Sequence, residues 1–149
     1  MKKNVALSKL IEYLYEYQQS GYVFHKKFIS EMKDLISNFT GKELEIFDLL
    51  VKQLSYIAQF GRQINDIGKN EKIRHMKTEQ EYYSIHLKGK GFNLRILLTF
   101  FIDDTPLILG VFNEKSGKSV TDYSKWKPVL LERYKELKEE LEDENEKFL

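Results

Sequence analysis

Apolar residues in the N-terminal part of the chain recur every three or four positions, which is the spacing of an amphipathic helix. This pattern predicts one helix over about 4–19, a short helix over 29–39 and a longer helix that ends at Gly61. Thr40 and Glu43 stand three residues apart, as in a capping box, and predict that the longer helix begins there. The first part of the chain is therefore predicted to be mainly helical.

The period changes to two in the second half, where apolar and polar residues alternate as they do in β-strands. The alternation predicts a strand over 83–88, and the mainly apolar runs over 93–102 and 107–112 predict two more, the last with both faces covered. Their short connections make an antiparallel meander. An earlier alternation over 22–28 predicts one more strand, which gives a sheet of about four strands. The even-numbered side chains of the first meander strand are polar, so we expect that strand to be buried on one face only.

A last helix is predicted from apolar residues spaced by four, three and four, namely Leu130, Tyr134, Leu137 and Leu141. Pro128 is expected in its first turn, because a proline deeper in a helix removes a hydrogen bond and clashes with the preceding turn. Ser124 or Asp122 is then the expected cap. Together the elements predict an α+β fold.

The composition fits one globular domain over 1–149, with a helical extension over 1–20 and an acidic tail over 142–149. A chain of this length buries enough surface to form a core without disulfides. The absence of cysteine excludes thiol chemistry and predicts a cytoplasmic location. The longest apolar run, 96–102, is too short to cross a membrane, so no membrane association is expected.

Charge is distributed unevenly, although the net charge is only +1. Residues 69–95 carry seven bases and three acids, whereas 136–149 carries seven acids and two bases. The basic segment is suited to binding phosphates. The three histidines, at positions 25, 75 and 86, have no ligand spacing, and no phosphate-loop or dinucleotide motif is present. We therefore expect neither a metal nor a cofactor.

Five cations of the meander are expected to converge at one edge of the sheet. Lys88 and Lys90 occupy the first hairpin, Arg95 lies just inside the next strand, and Lys115 and Lys118 follow the third strand. Antiparallel order brings these strand ends together, although the position of Lys115 depends on the register. Such a cluster is suited to binding a phosphodiester and to stabilising the added charge when an RNA 2′-hydroxyl attacks phosphorus.

Two further side chains complete the predicted site. His86 lies on the polar side of its strand and is expected to donate or accept a proton near neutral pH. Tyr123 is expected to orient the nucleotide by stacking on a base. The predicted catalytic residues are thus His86, Arg95 and Lys115, and the predicted RNA-binding residues are Lys88, Lys90, Lys118 and Tyr123.

Three segments of the predicted meander resemble, in their order and spacing, those of toxins of the RelE/ParE superfamily, and in particular of the phage-derived, HigB-like branch. They read YYSIHLK (82–88), NLRILLTFF (93–101) and LILGVFNEK (107–115). The resemblance runs from about 22 to 141. It implies a RelE-like fold, in which a curved antiparallel sheet packs against two helices with the C-terminal helix alongside.

The resemblance also implies a function, the toxin of a type II toxin-antitoxin system that cleaves mRNA on the ribosome without a metal and so inhibits translation. Arg95 and Lys115 match the basic residues of the family's motifs. The chain departs from the pattern at Ser84 and His86, which replace a Glu and an Arg, and at Glu114, which replaces a lysine. These departures leave the identity of the acid and the base open.

The implied partners are mRNA, the ribosome and a cognate antitoxin protein, which often carries a helix-turn-helix DNA-binding part. The segment over 1–20 is assigned to antitoxin contact or dimerisation, so a homodimer or a heterotetramer with the antitoxin is possible. Two other functions fit the same fold. One is a ParE-like poison of DNA gyrase, and the other is a non-catalytic interaction protein.

Overall fold

The structure, a computed structural model, describes residues 2–74, 76, 79–114 and 119–147. Within these ranges the chain forms four α-helices, one 3-10 helix and five β-strands. In chain order they are α1 (Lys2–Gln19), β1 (Val23–Phe24), α2 (Lys26–Asn38), α3 (Glu43–Phe60), the 3-10 helix (Gly61–Asp66), β2 (Glu71–Lys72), β3 (Tyr82–Gly89), β4 (Phe92–Phe100), β5 (Pro106–Asn113) and α4 (Ser119–Lys147).

The five strands form one sheet in the order β1-β5-β4-β3-β2 across the described part of the chain. The three long strands are the predicted antiparallel meander, in which His86 pairs with Arg95 and Arg95 with Phe112. β1 adds to β5 in parallel, and β2 adds to β3 antiparallel. The α+β class is thereby confirmed, and the two-residue strand β2 makes the sheet one strand larger than the predicted four.

Helices cover both faces of the sheet. Tyr83, Ile85 and Leu87 pack into the larger core with α1, α2 and α3. The opposite face packs against α4 through a second cluster that includes Tyr82 and Leu130. The expectation that β3 is buried on one face only is therefore wrong, because α4 covers its polar side as well.

The first helix is an integral part of the larger core. Ala6, Leu10 and Leu14 are buried, and the Tyr17 hydroxyl donates to the carbonyl oxygen of Val51 in α3 at 3.3 Å. The predicted helix over 4–19 is confirmed. Its burial makes α1 a packing layer of the sheet domain and leaves only its outer side available for contacts with other molecules.

The strand predicted over 22–28 is reduced to the two residues of β1. His25 ends it, because its Nδ1 accepts a hydrogen bond from the Lys27 backbone N–H at 3.1 Å and thereby caps α2. An early N–H group of a helix has no partner inside the helix, so such a cap favours the helical path from residue 26 onwards. Phe28 is consequently buried on the inner side of α2.

The predicted capping box is also wrong. The helix α3 begins at Glu43, two residues later than a cap at Thr40 predicts, because its N-cap is Lys42 and no side chain caps it. Gly41 lies in the left-handed region with φ 86°, which turns the chain sharply between α2 and α3. Thr40 therefore lies two positions before the N-cap and cannot form a capping box with Glu43. The predicted end of α3 at Gly61 is confirmed.

The C-terminal helix begins earlier than predicted. It starts at Ser119, so Pro128 lies inside it and Asp122 and Ser124 are helical residues rather than caps. Packing explains the longer helix, since the Trp126 ring stacks on Phe112 with centroids 5.7 Å apart. Aromatic burial of this kind offsets the missing hydrogen bond at proline.

The predicted apolar stripe of the last helix is confirmed. Leu130 and Leu137 are buried, and Tyr134 and Leu141 pack against them. The segment over 142–147 continues the helix, and the last two residues of the predicted acidic tail lie outside the described residues. No helix in the described ranges is long and apolar enough to cross a membrane.

Candidate functional site

The candidate site lies where β3 and β4 approach their hairpin. His86 and Arg95 are paired across these two strands, so their side chains lie next to each other on the sheet face that α4 covers. An Nη1 hydrogen of Arg95 points at the imidazole, whose Nδ1 is 2.6 Å away. The two residues predicted to act together are therefore neighbours, as the strand register alone implies.

Arg95 also forms an ion pair with Glu114, the residue that follows β5. The guanidinium Nη2 donates to Glu114 Oε2, and the side chains are only 12% and 8% exposed. Asn93 Nδ2 donates to the same carboxylate oxygen at 3.0 Å. The cation that was expected to meet phosphate is thus already bound to a carboxylate of its own chain.

The pKa of His86 is shifted strongly downward. Burial is the largest cause, followed by the charges of Arg95, Lys69 and Lys88, and together they lower the pKa from 6.5 to about 3. The imidazole is therefore neutral near pH 7. The expectation that His86 exchanges protons near neutral pH is wrong for the protein without a ligand, because three cations and burial oppose its protonation.

The main chain of His86 is fixed by two amide side chains. β2 reaches only as far as Ser84 along β3, so it provides no backbone partner for His86. Asn70 Oδ1 accepts from the His86 N–H at 2.9 Å, and Gln53 Nε2 donates to the His86 carbonyl oxygen at 3.3 Å. The two amides are joined to each other at 2.8 Å. This network holds the strand edge in place next to the site.

Tyr123 does not present a ring face to a nucleotide. The residue is only 4% exposed, and its ring packs edge-on against Phe112 at 5.7 Å. Its hydroxyl donates a hydrogen bond shared between Ser84 Oγ at 2.8 Å and Glu71 Oε1 at 3.1 Å. Burial raises its pKa above the ordinary value. The predicted stacking role therefore conflicts with the observed packing, because α4 seals the ring against the sheet.

The remaining predicted cations lie at the hairpin or beyond the described residues. Lys88 is exposed and borders a groove of about 370 Å³ that Asn93, Asn113 and Glu114 also line. Lys90 is exposed near the tip of the hairpin and does not line this groove. Lys115 and Lys118 lie outside the described residues. The described site accordingly contains Arg95 and Lys88 of the five expected cations.

Sequence reasoning missed three members of the site. Glu114 was noted only as a departure from a motif, and its ion pair with Arg95 depends on the register of β5. The charge of Lys69, which lies in the loop before β2, helps to lower the pKa of His86. The sequence pointed to Lys69 only through its place within the basic segment. Glu71, whose Oε1 lies 3.9 Å from His86 Nε2, reaches the site through the short strand β2, which no alternation predicts.

The arrangement places the Lys88 ammonium and the Glu114 carboxylate on one open groove, and the Arg95 guanidinium is paired with that carboxylate. Cations stabilise anionic oxygens, and a carboxylate can accept a proton from a hydroxyl group. Within the described ranges, no group of three or more His, Cys, Asp or Glu side chains is arranged to hold a metal ion. The chemistry available to these residues is therefore anion binding together with proton transfer.

Comparison of the chain with protein-family models, with curated proteins and with solved structures finds no match.

Proposed function

We propose that the protein is the toxin of a type II toxin-antitoxin system, a metal-independent and ribosome-dependent mRNA endoribonuclease with a RelE-like fold that acts in the cytoplasm. One observation carries the proposal. Lys69, Lys88 and Arg95 are all close enough to His86 for their charges to lower its pKa, and Lys88 borders an open groove. Cations gathered around a groove attract a phosphodiester.

The chemistry of metal-free RNA cleavage fits such a cluster. Attack of the 2′-hydroxyl on the adjacent phosphorus places additional negative charge on the phosphoryl oxygens, and preformed cations stabilise that charge. A bound phosphate also favours protonation of a nearby imidazole, because an opposite charge raises its pKa.

The arrangement of elements supports the fold part of the proposal. A pair of helices, α2 and α3, is followed by the meander β3-β4-β5 and a C-terminal helix, which is the element order that the resemblance implies. The short strand β1 joins the far edge of the meander in parallel with β5. The proposed partners are an antitoxin, mRNA and the ribosome.

The ion pair between Arg95 and Glu114 favours a second candidate, a non-catalytic interaction protein on the same fold. A guanidinium that is already paired and mostly buried binds phosphate only if its carboxylate partner is displaced or shares it. An interaction protein needs no such rearrangement.

The full chain added to a translation extract tests the proposal. We expect site-specific mRNA cuts that leave a 2′,3′-cyclic phosphate, that occur on ribosome-bound message and that persist in the presence of a chelator. Arg95→Ala and Lys115→Ala should each lower the cleavage rate by about 100-fold or more, since each removes a cation that stabilises the phosphoryl oxygens. Lys9→Ala, at an exposed position on α1, is the matched control and should cut normally.

The same extract distinguishes the other functions. Inhibited DNA supercoiling without RNA cuts would assign the protein to gyrase poisons. If the protein shows neither activity but binds the product of a neighbouring short reading frame stably, the result would support the non-catalytic interaction protein.

A further inference from the structure

The carboxylate of Glu114 lies inside the cationic cluster. It is paired with Arg95, it accepts a hydrogen bond from Asn93 Nδ2 at 3.0 Å, and it lines the groove that Lys88 borders. A carboxylate at this position opposes the binding of phosphate. Its presence in a site proposed to bind RNA therefore calls for a chemical role.

The backbone holds Glu114 in position beyond the end of β5. The last strand pair of the sheet at this end joins Leu94 and Asn113. After it, the Glu114 N–H donates to the carbonyl oxygen of Asn93 at 2.8 Å, and the Asn93 N–H donates to Asn113 Oδ1 at 3.0 Å. A catalytic group that is fixed before the substrate binds needs less ordering during the reaction.

Two other groups in the site could accept a proton, and both are poorer candidates. His86 has a pKa of about 3, and its ring nitrogens already face the Arg95 guanidinium. Glu71 is 49% exposed, accepts from the Tyr123 hydroxyl and lines a separate groove beyond β2. Glu114 is the carboxylate that shares a groove with Lys88.

We infer that Glu114 is the general base of the RNA cleavage, an inference that rests on the proposed function. Its carboxylate takes the proton of the 2′-hydroxyl while the 2′-oxygen forms a bond to phosphorus. The bond between phosphorus and the 5′-oxygen breaks, the 5′-oxygen keeps the electron pair, and water in the groove supplies its proton. The products are a 2′,3′-cyclic phosphate and a 5′-hydroxyl, and Glu114 afterwards returns its proton to solvent.

Arg95 has two functions in this mechanism. Before RNA binds, its guanidinium neutralises Glu114 and orients the carboxylate toward the groove. In the complex, the additional donors of the guanidinium are available to a phosphoryl oxygen next to the carboxylate, since Arg has five N–H groups. One arginine thereby holds the base and the phosphate beside each other.

Glu114→Gln separates the ability of the carboxylate to take up a proton from its contacts with Arg95 and Asn93. The amide retains an acceptor for Arg95 and Asn93, but it is neutral and does not take up the proton. We expect cleavage in the translation extract to fall by about 10²–10⁴-fold, the usual contribution of a general base. Binding of a 2′-O-methyl RNA oligonucleotide, followed by fluorescence anisotropy, should become about fivefold tighter because one negative charge is lost.

A matched control completes the experiment. Glu12→Gln, at an exposed position on α1, removes a carboxylate far from the groove in sequence and should equal the wild type in both assays.

The outcomes distinguish this inference from the proposed function. If the wild type cuts RNA and Glu114→Gln cuts within about threefold of it, the base is another group and the endoribonuclease stands. Loss of both cleavage and RNA binding in Glu114→Gln, with a lower melting temperature, would make Glu114 a structural residue. A wild type that leaves RNA intact would overturn both proposals.

Discussion

Two arginines lie between α4 and the sheet, Arg95 on β4 and Arg133 on α4 itself, and each is paired with a glutamate. Arg133 donates to both carboxylate oxygens of Glu31 at 2.8 and 2.7 Å and to the Leu109 carbonyl oxygen at 2.9 Å. Its guanidinium also lies over the Trp126 ring at 5.1 Å. This arginine ties α4 to α2 and β5.

Arg95 is satisfied less completely. Its buried Nε has no hydrogen-bond partner among the described residues, and neither has the buried Oδ1 of Asn93 beside it. Its Nη1 faces a neutral imidazole, and its carboxylate partner borders an open groove. Buried polar atoms are almost always paired, so an unpaired donor next to a groove marks a place where a ligand or water completes the site. Arg133 has the contacts of a structural residue, whereas Arg95 keeps an unpaired donor, which is consistent with the binding role proposed for it.

The largest expected effect is on stability, and it distinguishes Arg133 from Arg95. Arg133→Ala should lower the free energy of unfolding by about 3 kcal/mol, because it leaves a partly buried carboxylate and a buried carbonyl without their donor. Arg95→Ala should cost less, about 2 kcal/mol, because no main-chain carbonyl loses its donor and the change relieves repulsion among the cations near His86, although Glu114 is the more buried carboxylate. Urea denaturation of both variants measures the difference. Equal losses would contradict the distinction between a structural and a binding arginine.

A smaller effect concerns the pH dependence of stability. The His86 pKa is about 3 in the folded protein against 6.5 for an ordinary histidine, so below pH 6.5 the unfolded chain binds a proton that the folded chain does not. Stability must therefore fall as the pH decreases. The loss due to His86 should be roughly 1.5 kcal/mol between pH 6.5 and pH 5.

Denaturation of the wild type and of His86→Gln at several pH values isolates this contribution. His25, whose pKa is also lowered, mainly by burial, is present in both proteins and cancels in the comparison. The same pH slope in both proteins would show that His86 is not held neutral by its surroundings.

The smallest expected effect concerns Tyr123. Tyr123→Phe removes the hydroxyl that bonds to Ser84 and Glu71, and it should cost about 1 kcal/mol because the Ser84 hydroxyl is fully buried. The affinity for a 2′-O-methyl RNA oligonucleotide should be unchanged, since the ring is buried between α4 and the sheet. A stacking role would be supported instead if Tyr123→Ala bound RNA more weakly while keeping the stability of the wild type.

Much of the fold could be predicted from local patterns. The meander, the end of α3 at Gly61 and the stripe of Leu130 and Leu137 on α4 follow from hydrophobic periodicity, which each segment carries by itself. The errors occur where tertiary contacts override a local preference. His25 caps α2 and shortens a strand, and Trp126 packs so well that the helix continues through Pro128.

The members of the candidate site likewise include some that local patterns predict and others that depend on tertiary contacts. The antiparallel order of β3 and β4 was enough to predict that His86 and Arg95 lie together. The ion pair of Arg95 with Glu114 was not predictable, because it depends on how β5 continues past its last paired residue. The two-residue strand β2, which carries Glu71, has no periodicity from which to predict it.

The sequence by itself determined the main helices and the antiparallel order of the three long strands, because these features depend on the spacing of apolar side chains along a segment. Only the tertiary structure decided what covers the polar face of β3. α4 lies on that face, so the ring of its Tyr123 packs between the helix and the sheet, and burial together with nearby cations keeps His86 neutral. Protonation and accessibility depend on the elements packed around a residue, and no local pattern contains that information.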